Sequence, residues 1–178
     1  REAVIGALMA GRMGVAVAGT HGKTTTTAMI AWIALAAGRD PTFIVGGWIR
    51  GLQRNARAGQ GAFFIVEADE YDRMFLGLRP RIAVVTNIEH DHPDCYPTAE
   101  AFFEAFQAFA EGVPREGTLI LCEADPGARR LGDRWSATVG RRRPAGGPDP
   151  LPSMASRCIA RISGWGPCAC PSRDTTTA

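Results

Sequence analysis

Lysine is nearly missing from this chain. Of 178 residues 20 are Lys or Arg, yet Lys23 is the one lysine and every other basic side chain is arginine. Solubility alone therefore does not explain that amine, and attention falls on the turn that holds it. Long apolar runs are missing too: nothing approaches the roughly 20 residues of a spanning helix, and the N-terminal stretch lacks the layout of a secretory signal. The cysteines Cys95, Cys122, Cys158, Cys168 and Cys170 are odd in number and share no repeated spacing, so no disulfide framework is implied. A reducing, cytoplasmic setting with no membrane span is expected.

What is present is an ordinary globular balance, 46% hydrophobic and 21% charged, enough for one core. The formal charge of +2 is unevenly placed, because residues 134–178 carry seven arginines against two aspartates. The basic run "GRRRPAGG" has no interleaved aromatics and reads as a solvated segment, so no nucleic-acid partner is expected.

Residues 2–11 have apolar side chains at helical spacing and stop at Gly11. "GVAVAG" (14–19) reads as a short buried strand that runs directly into "GTHGKTTTT". Residues 24–37 are again helical, with Gly38 as the stop. Further buried strands are expected at 42–47, 62–69, 81–88 and 117–123. Between the last two, Phe102, Phe106 and Phe109 share one helical face, with Glu100, Glu104, Gln107 and Glu111 away from it. Alternating strands and helices predict an α/β fold, a doubly wound and mostly parallel sheet whose ligands collect beyond the carboxyl ends of its strands. After about Gly132 periodicity fades into Arg, Pro, Gly and Ser, so the domain is expected to cover 1–132 and 133–178 to be a low-pattern, disordered tail.

The strand-turn-helix at Gly19 has the chemistry of a phosphate loop. Amides at a helix N-terminus lack intrahelical partners and sit at the positive end of the dipole. Gly19 and Gly22 let the backbone wrap closely, Lys23 can reach β- and γ-phosphates, and the hydroxyl of Thr24 or Thr25 can ligate Mg²⁺. The spacing G-x-x-G-K-T is shorter than the usual P-loop. A plain connecting turn is the alternative, and the strand before and helix after make it the weaker one.

Two acidic clusters end neighbouring strands. "EADEYD" gathers Glu67, Asp69, Glu70 and Asp72 after an apolar run, which is costly without cations nearby. "TNIEHDHPDCY" supplies Asn87, Glu89, His90, Asp91, His92, Asp94 and Cys95. Its many oxygens suit Mg²⁺ with an imidazole completing the sphere. Zinc through His90, His92 and Cys95 is less favoured, since no second Cys/His pair stands at finger spacing.

Taken together, "AVAGTHGKTTTTAM", "DPTFIVGG", "EADEYDRMFL" and "PRIAVVTNIEHDHPDCY" resemble, in order and spacing, the central ATP-binding domain of the Mur ligases. The resemblance covers about residues 1–132 and is strongest to the alanine-adding branch. It implies an ATP- and Mg²⁺-dependent amide-forming ligase of peptidoglycan synthesis that joins L-alanine to UDP-N-acetylmuramic acid through an acyl phosphate. By motif position it places Gly19, Thr20, His21, Gly22, Lys23, Thr24, Thr25 and Asn87 around the nucleotide. It places Thr24, Thr25, Glu67 and His92 at metal ions, with Lys23, Glu67 and His92 at the chemistry. Asp69, Glu70 and Asp91 are supporting positions.

Two departures stand out. No lysine follows Lys23, whereas many relatives use a carbamoylated one, and the alanine-adding branch resembles this chain in doing without it. Pro93 stands where Met or Leu is common. The family has three domains, so this chain resembles a fragment, expected to be inactive alone. The competing readings are the murein tripeptide-recycling branch and a non-catalytic nucleotide-binding remnant. Finally, "RDTTT" (173–177) can be encoded so that a shifted frame reads Gly-His-His-Asn, similar to a motif late in the family's central domain, so the tail is expected to be out of frame.

Overall fold

The computed structural model describes residues 2–114, 116–141 and 158–162. Helix α1 (Glu2–Met9) leads into strand β1 (Met13–Ala18), and helix α2 (Lys23–Ala36) follows after a four-residue turn. Strands β2 (Thr42–Ile49) and β3 (Arg54–Arg57) form an antiparallel hairpin, and β4 (Phe63–Glu67) returns to the centre. A 3₁₀ segment (Tyr71–Gly77), β5 (Ile82–Val85), α3 (Ala99–Glu111), β6 (Thr118–Cys122), α4 (Pro126–Arg141) and β7 (Cys158–Ile162) complete the order. The sheet runs β3-β2-β4-β1-β5-β6-β7 and is parallel except where β3 pairs with β2.

Strand β1 lies at the middle because both its faces are apolar. Val15, Ala16, Val17 and Ala18 are all buried, as expected of a parallel strand covered on two sides. Side-chain alternation splits the interior into two layers. Val15, Ile65, Phe43 and Val45 pack with Ala31 of α2 on one face. On the other, Ala16, Ala18, Phe64, Val66, Ala83 and Val85 meet the larger aromatic core of the 3₁₀ segment, α3 and α4. The expected phenylalanine face of α3 is present: Phe75 stacks on Phe109 with centroids 4.9 Å apart and meets Phe106 edge-on at 5.2 Å. Thr98 caps α3 by accepting from the Ala101 amide at 3.2 Å.

The doubly wound α/β expectation holds, while the tail expectation needs correction. Helix α4 crosses the boundary near 132 and continues to Arg141, and residues 158–162 pair as β7 alongside β6. Helix α4 is anchored by buried Trp135, whose indole donates to the Ala110 carbonyl at 3.0 Å, and by Arg130, whose guanidinium lies 4.0 Å from the Phe103 ring centroid. Arginine stems covering an aromatic surface explain how so charged a segment forms a packed helix. The rest of the tail, and the expectation of disorder and of out-of-frame translation for it, lie outside the described residues.

Candidate functional site

Register brings the polar clusters together. Val17 of β1 pairs with Glu67 of β4 on one side and Val84 of β5 on the other, so the ends of all three strands reach the same edge as the glycine turn. The turn's shape is set by its two glycines. Gly19 has φ +137°, and a Cβ there would lie 2.0 Å from Thr86 Oγ1, while Gly22 has φ +82° and opens on free space at the start of α2.

The segment after β5 holds this turn in place. The Asn87 carboxamide brackets the His21 peptide, accepting from its amide at 2.8 Å and donating to its carbonyl at 3.2 Å. Thr86 donates to the same carbonyl at 2.7 Å. The Thr20 hydroxyl donates to the Glu89 carbonyl at 2.8 Å and accepts from the Glu89 amide at 2.9 Å. Asn87 and Thr20, expected at the nucleotide, thus shape the loop backbone. His21 is exposed, 3.7 Å from the equally exposed Glu89.

Lys23 turns back over this loop. Its three ammonium protons meet three acceptors, the carbonyls of Gly19 at 2.7 Å and Thr20 at 3.3 Å and Glu70 Oε1 at 2.7 Å. The neighbouring Thr24 hydroxyl donates to Glu67 Oε1 at 2.8 Å, and Glu67 Oε2 accepts from the Gly46 amide at 2.6 Å. Thr25 is exposed, on the lip of an open cleft between α2, which also contributes Trp32, and the end of β2, which contributes Gly47 and Trp48.

His92 adopts left-handed backbone (φ +54°). Its Nε2 lies 3.7 Å from Glu70 Oε1 and 3.8 Å from Asp91 Oδ2, and its ring meets Tyr71 edge-on at 5.1 Å. His90 points elsewhere, bonding the Tyr96 carbonyl through Nε2 at 2.8 Å. The histidines that alternate in sequence thus have separate roles, and the zinc arrangement through both of them and Cys95 does not form. Asp69 closes an Asx-type turn ahead of the 3₁₀ segment, its Oδ1 accepting from the Tyr71 amide at 3.1 Å.

Two connections were not legible beforehand. Tyr71 donates its hydroxyl to Asp94 Oδ2 at 3.0 Å, and this bond, with the Asp94 charge behind it, pushes the phenol up to about 12. The same bond holds the Asp94 carboxyl below its ordinary value. The other is Gly46, marked in the sequence only as part of a strand, whose amide holds Glu67; a side chain there would meet the carboxylate at 2.9 Å. Among the described residues no group of three or more His, Cys, Asp and Glu side chains converges as a metal cage. The Thr24–Glu67 pair nevertheless fits Mg²⁺, which is commonly held by one or two carboxylates with phosphate and water filling the octahedron.

Comparison with known proteins gives a consistent picture. The Mur ligase middle domain family matches residues 17–140. The UDP-N-acetylmuramate--L-alanine ligase of Arthrobacter sp. (strain FB24) is 51% identical over 134 residues, covering 75% of this chain and 29% of the relative. That of Renibacterium salmoninarum is 53% identical over 137 residues, covering 77% and 30%. Among solved structures, the UDP-N-acetylmuramate:L-alanyl-gamma-D-glutamyl-meso-diaminopimelate ligase of Neisseria meningitides superposes with TM-score 0.67 at 31% identity over 74% of this chain and 45% of that one. The UDP-N-acetylmuramate-alanine ligase of Thermotoga maritima gives 0.63 at 28% identity, covering 71% and 29%. The chain therefore spans less than a third of the length of these curated relatives.

Proposed function

Because this chain belongs to the Mur ligase family through its middle domain, we infer that it is the ATP-binding portion of a ligase joining L-alanine to UDP-N-acetylmuramic acid. The observation that carries this reading is the single lysine, held in a glycine turn at the start of α2 beside the Thr24–Glu67 pair. Identity near 50% to alanine-adding relatives supports the substrate.

Bound ATP would supply the phosphoryl group that activates the substrate carboxylate for attack by an amine. The chain's own residues would do the rest by position and charge. Lys23 would exchange a loop acceptor for phosphate oxygen and neutralise charge there. The free amide dipoles at the start of α2 would cradle the phosphates, with Gly22 leaving their approach open. Thr24 and Glu67 would hold one Mg²⁺ and His92 a second. Thr20 and Asn87 would keep the loop from collapsing.

The test is a calorimetric titration of the chain with Mg·ADP, alongside Lys23→Met. The unaltered chain binds, and the variant loses about 10- to 100-fold in affinity, the worth of a hydrogen bond to a charged group. Equal affinity in the two would remove Lys23 from the site. As part of a full-length ligase, it should release ADP only when L-alanine is added. A second reading, a ligase for murein tripeptide, is favoured by the superposition on the Neisseria enzyme. Replacing L-alanine by the tripeptide in that assay separates the two.

A further inference from the structure

Glu70 is the most deeply buried charged residue near the turn, fully shielded from solvent. Its backbone is clamped, since its carbonyl accepts from the hydroxyl of fully buried Tyr96 and from the Arg73 amide. Its carboxylate is used lopsidedly. Oε1 takes the Lys23 ammonium at 2.7 Å and faces His92 Nε2 at 3.7 Å, while Oε2 is buried with no hydrogen-bond partner among the described residues. A buried carboxylate serving only the fold would satisfy both oxygens. This one is spent at a single point, where a side chain from α2 meets one from the loop after β5.

We propose that Glu70 is a positioning residue that fixes the Lys23 ammonium and the His92 imidazole as one unit. One oxygen that accepts from the ammonium at 2.7 Å and faces the imidazole at 3.7 Å sets both groups at the turn ahead of any ligand, so neither must be ordered separately when phosphate arrives. The two reach Glu70 from elements 69 residues apart in sequence, Lys23 and His92, and Glu70 ties the phosphate loop to the histidine loop.

The inference rests on the nucleotide reading for its purpose, but its test needs no nucleotide. With one lysine in the chain, ¹⁵N-lysine labelling gives one ammonium signal, and His92 is one of three histidines. A solvent-exposed ammonium exchanges its protons too quickly to be seen near neutral pH, whereas the Lys23 ammonium of the 178-residue chain is expected to be visible. Glu70→Gln removes the charge at nearly constant size, and Glu70→Asp keeps the charge while withdrawing the oxygens. In each, Lys23 proton exchange is expected to speed up about tenfold or more, and the His92 ring resonance moves in the same variant, while thermal unfolding stays cooperative. Unchanged lysine exchange, or an unmoved His92, in either folded variant overturns the proposal. So does loss of folding in both, which would make Glu70 a residue of the core alone. Failure of the unaltered chain to bind Mg·ADP would instead sink the nucleotide reading and leave the Lys23–His92 coupling standing.

Discussion

At the scale of single residues, the pair Tyr71 and Asp94 makes a prediction that needs no ligand. The phenol is raised to about 12 from an ordinary 10.0, so its share of stability is complete below pH 10 and is lost as pH climbs through the raised value. Asp94 is lowered from 3.8, so its share is present above that value and is lost as pH falls through the lowered one. The latch between the 3₁₀ segment and the histidine loop is thus intact across the wide range between. Absorbance at the tyrosinate band should show no step near pH 10, since the other tyrosine, Tyr96, is also raised, chiefly by burial. Asp94→Asn should bring one tyrosine back toward 10 and leave the second. A full two-tyrosine step near pH 10 in the unaltered chain would contradict the geometry. Cys95 lies against the same carboxylate, its Sγ 3.8 Å from Asp94 Oδ2, and the Asn variant takes the charge out of that contact as well.

Residue identity alone did not rank the acids of "EADEYD". Glu67 and Glu70 look alike as letters, and which one enters the interior depends on where β4 ends. The strand stops at Glu67, leaving that side chain to Thr24 and Gly46 at the edge. The chain then turns inward, and Glu70 ends up under the 3₁₀ segment. The lysine was legible because only one exists. The carboxylate it meets was not, since Glu70 is held inside by the hydroxyl of buried Tyr96, 26 residues further along the chain.

At the scale of elements, buried strands and the phenylalanine face of α3 could be read from periodicity, because burial on one or both faces dictates it. Strand β3, "RNAR", could not: it is an edge strand with a mostly exposed, polar sequence, and its pairing with β2 comes from the hairpin and from the ion pair of Arg57 with Asp40. Helix α4 hid behind its arginines for the reason already given, aromatic surface covered by guanidinium stems. Two substitutions measure how α3 is held. Thr98→Ala should cost about 1 kcal/mol through loss of the cap. Phe106→Ala, at the middle of the aromatic cluster, should cost about 3–5 kcal/mol. Both are read from urea unfolding midpoints at constant slope. Equal effects would mean that the cluster contributes no more than a helix end.

At the scale of the whole molecule, the order of strands separates site from margin. Strand β7 stands two strands beyond β5 and three from β1, and among the described residues it pairs with β6 alone. Ending the chain after residue 141 should lower the melting temperature by exposing the β6 edge, yet leave the Lys23 ammonium signal and the affinity for Mg·ADP unchanged. A lost lysine signal would show that the far edge of the sheet shapes the turn. The described surface also carries Trp32, Ile33 and Trp48, each roughly half or more exposed. No helix among the described residues is long and apolar enough to cross a membrane.

Glu67 has one further consequence. Its two oxygens are bonded in opposite directions, to the first turn of α2 and to the Gly46 amide in the hairpin strand. A cation that captures either oxygen draws on the same carboxylate charge and so weakens the grip on that side. The Gly46 amide therefore becomes a listening post: its proton will report when the carboxylate changes allegiance.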